Sequence, residues 1–147
     1  MPCEHSGLTE FKRRKGAGVI VDTSVWIDFF NGHPSPQADR LARAIADDEP
    51  IAMPGLVYTE ILLGLKNEQD AIRVASLLDA FVWVNEASKA DYEGAVRLYR
   101  VCRTKGVTIR STIDCLIAQL CLRDNEVLLA KDRDFEAIAR HSALRLV

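Results

Sequence analysis

Apolar residues in this chain fall into short continuous runs, separated by longer stretches in which they recur at helical spacing. The runs at residues 19–21, 51–53 and 127–129 have the length and aliphatic character of buried strands. Two further strands are predicted at residues 81–84 and near residues 144–147. Strands that are apolar at every position are typical of a parallel sheet covered on both faces.

The stretches between these runs repeat apolar residues every three or four positions, as in helices with one buried face. Helices are predicted over residues 25–31, 37–48, 54–65, 69–80 and 88–105, then after Ser111 and Thr112, and finally up to Arg140. We expect side-chain oxygens of Asp22 and Ser24 to cap the first helix and Gly106 to end the fifth. Strands alternating with helices predict an α/β fold with a central parallel sheet flanked by helices.

The length of 147 residues, with 48% hydrophobic and 27% charged residues, is typical of one globular domain. Residues 1–18 carry a basic run at 12–15 and show no periodicity, so we expect a flexible arm followed by one domain over residues 19–147. No apolar run reaches the ~18 residues that span a bilayer, and residues 1–18 lack the apolar centre of a secretory signal. We therefore expect a cytoplasmic protein that makes no membrane contact.

Charge and cysteine content restrict the chemistry further. A formal net charge of -2 disfavours a protein that holds nucleic acid by bulk positive charge, so an RNA partner would require a metal ion or a local basic patch. The four cysteines show neither the spacing of a zinc site nor the density of a disulfide scaffold. We expect reduced thiols, with Cys115 and Cys121 packed on a helix.

Four acidic residues lie just after a predicted strand or in the first turns of the helix that follows it: Asp22, Glu60, Asp114 and Asp132. The carboxyl ends of parallel strands meet at one edge of the sheet, where ligands bind, so these side chains are expected to converge. Clustered carboxylates repel each other unless they bind protons or a hard cation such as Mg²⁺ or Mn²⁺. Such an ion can lower the pKa of water and stabilise a leaving oxygen, which predicts phosphodiester hydrolysis.

Each acid also has a purely structural interpretation. Asp22 and Asp132 would serve as helix caps, Glu60 as the partner of Lys66 in a surface ion pair, and Asp114 as a charge that complements the helix dipole. The position of all four acids at strand ends favours a shared site, although each residue by itself is a weak indication.

Four segments in order resemble the VapC toxins of the PIN-domain superfamily, over about residues 19–147: VIVDTSVWID at 19–28, TEILLG at 59–64, IDCLIA at 113–118 and KDRDF at 131–135. The resemblance implies a PIN-like three-layer fold, a Mg²⁺ or Mn²⁺ site and endoribonuclease activity on RNA. It gives metal-binding and catalytic roles to Asp22, Glu60, Asp114 and Asp132, with Ser24 as a supporting hydroxyl. Either Asp132 or Asp134 could be the fourth acid of the site.

The same resemblance implies a homodimer and a VapB-type antitoxin that covers the cleft and supplies a basic side chain. Basic residues near the end of the fifth predicted helix are candidates for contact with the RNA backbone: Arg97, Arg100, Arg103 and Arg110. A solvated helix face is the alternative explanation for this row of charges.

Other enzyme classes that use acids at strand ends match less well. A response-regulator receiver would need a phosphoacceptor Asp after its middle strand, where this chain has Asn85 and Glu86. A haloacid-dehalogenase-type phosphatase would need a second acid two residues after Asp22, where Ser24 stands. A PIN-like module that binds RNA or protein without cleavage remains possible, and the intact acids disfavour it.

Overall fold

The structure is a computed structural model that describes residues 18–147. The basic run at 12–15, Cys3 and all of the predicted arm except Gly18 therefore lie outside the described residues. Within residues 18–147, no helix is both long and apolar enough to cross a membrane.

Across residues 18–147, four short parallel strands form the centre of the fold: β1 (Val19–Val21), β2 (Ile51–Met53), β3 (Val82–Trp83) and β4 (Val127–Leu129). Their order across the sheet is β3-β2-β1-β4. β1 is fully buried, as the continuous apolar run predicts. Because the chain adds β2 and β3 on one side of β1 and β4 on the other, the direction of strand addition reverses at β1, where open α/β sheets form their ligand crevice.

Within the described part of the chain, seven helices flank this sheet: α1 (Thr23–Asn31), α2 (Pro36–Ala46), α3 (Gly55–Leu63), α4 (Glu68–Leu78), α5 (Lys89–Thr104), α6 (Thr112–Asp124) and α7 (Arg133–Arg140). The apolar stripes predicted for α3 and α6 face the core, where Ile61 and Ile117 are completely buried. In α2, Leu41 is completely buried, whereas Ala42, Ile45 and Ala46, which the helical spacing predicts on the same stripe, are exposed. Gly106 follows α5 with a φ of 82°, a left-handed conformation that suits its predicted role as a helix stop. The predicted α/β architecture is confirmed.

Two further local predictions were wrong. The segment at residues 144–147 forms a single parallel bridge, between Leu128 and Leu146, rather than a full strand. The first helix begins at Thr23, two residues earlier than predicted, and Asp22 occupies the N-cap position without a side-chain capping hydrogen bond. Its carboxylate instead accepts a hydrogen bond from the Ser24 hydroxyl.

The described cysteines are structural. Cys102, Cys115 and Cys121 are free and buried, so the predicted packing of Cys115 and Cys121 on a helix is confirmed. Burial raises the pKa of the Cys115 thiol to about 11, so this thiol stays protonated and unreactive at neutral pH.

Candidate metal centre

Asp22 and Asp132 lie at the same edge of the sheet because β1 and β4 are neighbours. Val21 pairs with Leu129 at the ends of these strands, and the backbone amide of Asp22 donates to the carbonyl of Leu129 at 2.9 Å. Asp22 directly follows β1, and Asp132 is the N-cap residue of α7, three positions after β4. The carboxyl-end crevice predicted from the strand pattern therefore contains both residues.

Helices α3 and α6 bring the other two acids to the same edge. Glu60 of α3 accepts a hydrogen bond from the Thr23 hydroxyl at 3.0 Å, which ties it to the residue after Asp22. Asp114 lies in the first turn of α6, whose N-cap Ser111 accepts a hydrogen bond from the Asp114 amide. Glu60 has no ion pair with Lys66 among the contacts of residues 18–147, so the surface-pair interpretation of Glu60 was wrong.

Asp114 is the electrostatic centre of this group. Burial, and then repulsion from Asp22, Asp132, Asp134 and Glu60, raise the pKa of the Asp114 carboxyl to about 7. Coulomb repulsion falls with distance and is screened by water, so a shift from four carboxylates requires that all of them lie near Asp114. The acids that the sequence identified as candidates therefore lie within electrostatic range of Asp114 at one edge of the sheet.

Asp22 is the most deeply buried of the four candidate acids, with 7% of its surface exposed. Burial is the main cause that raises its pKa, and repulsion from Asp132 adds to it. The Ser24 hydroxyl, which donates to Oδ2 of Asp22 at 2.9 Å, lowers the pKa in opposition. Ser24 therefore stabilises the charged form of a carboxylate that burial would otherwise neutralise.

Asp132 and Asp134 have different partners although they flank a single residue. Oδ1 of Asp132 accepts the amide of Asp134 at 2.8 Å, so Asp132 does cap α7, as its structural interpretation predicted. Asp134 is buried, and its Oδ2 accepts the backbone amide of Arg110 at 3.1 Å. Asp132 repels Asp114 more strongly than Asp134 does. Asp132 can therefore cap α7 and still belong to the acidic cluster.

The donor set fits a hard divalent cation. All of the converging groups are carboxylates, the ligands that Mg²⁺ and Mn²⁺ prefer, and a cation would relieve the repulsion centred on Asp114. Among residues 18–147, no three acidic, histidine or cysteine side chains lie close enough together to hold one metal ion directly. Mg²⁺ commonly keeps several of its waters and uses only one or two carboxylates, so a looser group of acids is compatible with its coordination.

The predicted RNA-binding residues separate into two groups. Arg97, Arg100 and Arg103 are exposed along α5, and Arg103 donates to the Tyr99 hydroxyl at 3.2 Å. A cavity of about 430 Å³ is lined by Tyr99, Arg100, Arg103 and Thr104. Arg110 lies apart from this row, beside Asp132 and Asp134.

Three contacts near the centre were missed by sequence reasoning. Thr23 binds Glu60, Lys131 forms an ion pair with Asp28 of α1, and the guanidinium of Arg110 lies against the acids. Lys131 and Asp28 join the end of β4 to α1, and they are 103 positions apart. The adjacency of Lys131 to Asp132 was the only sequence signal for this contact.

The chain resembles proteins of known family along most of its length. The family described as PIN domain matches residues 19–141. The VapC ribonuclease Mb1587 of Mycobacterium bovis and ribonuclease VapC11 of Mycobacterium tuberculosis are each 31% identical over 128 residues, covering 86% of this chain and 96% of each relative.

Two solved structures share the fold. The crystal structure of VapBC2 from Rickettsia felis, bound to a DNA fragment from its promoter, has a TM-score of 0.69 at 21% identity and covers 88% of this chain and 97% of that chain. The structure of VapBC-1 from nontypeable Haemophilus influenzae has a TM-score of 0.67 at 22% identity, with coverage of 88% and 96%. The PIN-like three-layer fold expected from the four sequence segments is confirmed, and the chain belongs to the PIN-domain family, among its VapC ribonucleases.

Proposed function

We propose that this chain is a metal-dependent endoribonuclease that hydrolyses RNA phosphodiester bonds and acts as the toxin of a VapBC-type pair. The observation that carries this proposal is the placement of Asp22, Glu60, Asp114 and Asp132 at one edge of the sheet, where the Asp22 backbone is bonded to the end of β4 and Glu60 is bonded to Thr23. A negatively charged protein that cuts a negatively charged polymer needs a cation between the two, and this cluster is a suitable site for one. The names of the mycobacterial relatives support ribonuclease activity.

Asp22, Glu60, Asp114 and Asp132 are the proposed ligands and catalytic acids, and Mg²⁺ or Mn²⁺ is the proposed cofactor. When bound, the ion supplies a water of lowered pKa and stabilises the leaving oxygen of the phosphodiester. The protein's contribution is to orient the carboxylates. Glu60 is held by Thr23 at 3.0 Å.

Two further side chains have supporting roles in this proposal. Ser24 keeps Asp22 charged by donating to its carboxylate. Asp134 fixes the backbone of Arg110, whereas Asp132, which repels Asp114 more strongly, is the better candidate for the fourth ligand. We therefore propose Asp132 rather than Asp134 as the fourth acid of the site.

Arg97, Arg100, Arg103 and Arg110 are proposed to contact RNA phosphates, because their charges lie on or next to α5 while the chain as a whole is acidic. The proposed inhibitor is a VapB-type antitoxin, which the VapBC complexes of the same fold support. A homodimer and a cytoplasmic location belong to the same proposal. Size-exclusion chromatography with light scattering tests the dimer.

Cleavage of total RNA by the purified protein tests the enzymatic proposal. We expect cleavage with Mg²⁺ or Mn²⁺, none with EDTA, and none by Asp22→Asn. Asp79→Asn makes the same chemical change at an exposed position after α4 and serves as the matched control. RNA binding without cleavage by the wild type would favour a binding module, and cleavage that survives EDTA would exclude the metal mechanism.

A further inference from the structure

Arg110 is held at the acidic cluster by its backbone. It lies in the loop between α5 and α6, four residues before Asp114, and its amide donates to Oδ2 of Asp134 at 3.1 Å. The Nε atom of its side chain is 3.7 Å from the same oxygen, and one terminal nitrogen is 4.0 Å from Oδ1 of Asp132. The backbone that carries Arg110 is therefore anchored at the edge of the site by a hydrogen bond that does not involve the guanidinium itself.

The guanidinium is held much more loosely than its backbone. Charge-assisted hydrogen bonds measure about 2.7–2.9 Å, whereas both ion-pair distances of Arg110 exceed that range, and its side chain is 78% exposed. Arg123 shows the contrast within the same chain, because it lies 2.7 Å from Asp91 and 2.9 Å from Asp124 with 23% exposure. The Arg123 guanidinium is locked in a structural network, and that of Arg110 is free to exchange partners.

We propose that Arg110 is an exchangeable counterion of the metal centre: it shields Asp132 and Asp134 in the metal-free protein and turns to a phosphate of the RNA when a divalent cation binds. This inference rests on the proposed function and deepens it. A divalent cation and a guanidinium repel each other in the same cluster, so binding of the ion displaces Arg110 from the carboxylates. The planar fork of a guanidinium matches the oxygens of a phosphate, which gives the displaced side chain a new partner.

If Arg110 exchanges partners in this way, one substitution should strengthen metal binding and weaken RNA cleavage. Arg110→Met removes the shielding charge, so the metal-free protein should become less stable while Mn²⁺ binds more tightly, by roughly fivefold for an exposed charge pair. RNA cleavage should fall at the same time, by about tenfold or more, because a charged contact to phosphate is lost. A residue that only supports the loop would weaken metal binding and cleavage together.

The Arg110→Lys variant tests the charge of Arg110 separately from the shape of its guanidinium. Lysine keeps the positive charge near the acids but lacks the planar fork. We therefore expect Arg110→Lys to bind Mn²⁺ with wild-type affinity and to cleave RNA at a rate between those of the wild type and Arg110→Met, with the loss mainly in KM.

The experiment compares wild type, Arg110→Met, Arg110→Lys and Arg73→Met. Arg73 is the control, since it pairs with Asp70 at a similar 3.6 Å on exposed α4, away from the cluster. Mn²⁺ affinity is measured by electron paramagnetic resonance with MnCl₂ alone, thermal stability in EDTA, and single-turnover cleavage of one RNA oligonucleotide. Tighter Mn²⁺ binding with slower cleavage in Arg110→Met is the expected result.

Equal or weaker Mn²⁺ binding by Arg110→Met, with a cooperative thermal transition, would overturn the counterion role. The metal measurement needs no activity, so it decides the counterion role even if the wild type cleaves no RNA, a result that would count against the proposed function and against the phosphate contact. Unchanged cleavage with tighter Mn²⁺ binding would reject the phosphate contact and with it the exchange.

Discussion

Asp114→Asn removes the carboxylate on which four other acids converge, and we expect the metal-free protein to become more stable above neutral pH. The folded protein keeps Asp114 protonated up to a pKa of about 7, whereas its ordinary value is 3.8. The folded state therefore binds more protons than the unfolded state between these values, so the contribution of Asp114 to stability falls as the pH rises from about 4 to 7. Asparagine does not titrate, so Asp114→Asn does not lose this stability as the pH rises.

The size of the effect follows from the shift and from the exposure of the group. A shift of about three pKa units corresponds to about 4 kcal/mol at full strength. Because Asp114 is only partly buried, solvent screening should reduce the destabilisation to about 1–2 kcal/mol. For a domain of this size, that range corresponds to a melting temperature roughly 3–6 °C higher for Asp114→Asn at pH 8.

Thermal unfolding followed by circular dichroism, in EDTA and in millimolar MnCl₂, measures the pH dependence of stability and the stabilisation by metal. In EDTA, Asp114→Asn should melt above the wild type at pH 8 and close to it near pH 4.5, while Asp79→Asn should show no such pH dependence. Wild type should gain about 2.7 kcal/mol at a hundredfold excess of metal over Kd, and Asp114→Asn should gain less. Identical melting at pH 8 would refute the raised pKa of Asp114 that burial and repulsion produce, and equal gains from Mn²⁺ would refute the shared site.

Other substitutions test the basic row and the ion-pair network. Replacing both Arg100 and Arg103 by Gln should weaken RNA binding and flatten its dependence on salt, because fewer counterions are released. If a filter-binding series shows an unchanged salt dependence, the two arginines belong to a solvated helix face that does not contact RNA. Arg123→Met should destabilise the fold by about 3 kcal/mol in urea titrations, since it leaves the buried carboxylate of Asp91 without its cation. Arg73→Met removes an exposed ion pair and should lower the free energy of unfolding by less than about 1 kcal/mol. An equal loss of stability in both variants would contradict the claim that burial makes the Arg123 pair more important.

The sequence predicted the elements that depend on local pattern. Continuous apolar runs identified β1, β2 and β4 because a parallel sheet buries both faces of its strands. The run at residues 144–147 was misleading, since Leu144 is buried and Leu146 is 38% exposed. A short apolar segment beside a sheet can place one residue in register without continuing as a strand.

Side-chain pairing at the site could not be predicted in the same way. Asp22 has the sequence position of a cap, but Ser24 donates to its carboxylate. Thr23 reaches Glu60 across 37 positions, a contact that no periodicity indicates. Convergence of Asp22 and Asp132 was predictable because strand ends meet at one edge of a parallel sheet. Asp114 opens a helix that follows another helix, so its place at the site, like the hydrogen-bond partners of the acids, depends on tertiary packing.

The most direct test of the central claim measures Mn²⁺ binding and RNA cleavage in the same samples. Electron paramagnetic resonance gives the bound Mn²⁺ of wild type, Asp114→Asn and Asp79→Asn, and a labelled oligonucleotide gives the cleavage rate at each concentration. We predict that wild type and Asp79→Asn cleave in proportion to bound Mn²⁺, and that Asp114→Asn binds Mn²⁺ weakly and does not cleave. Wild-type cleavage rates that do not follow occupancy, or full activity in Asp114→Asn, would contradict a catalytic metal centre at these acids.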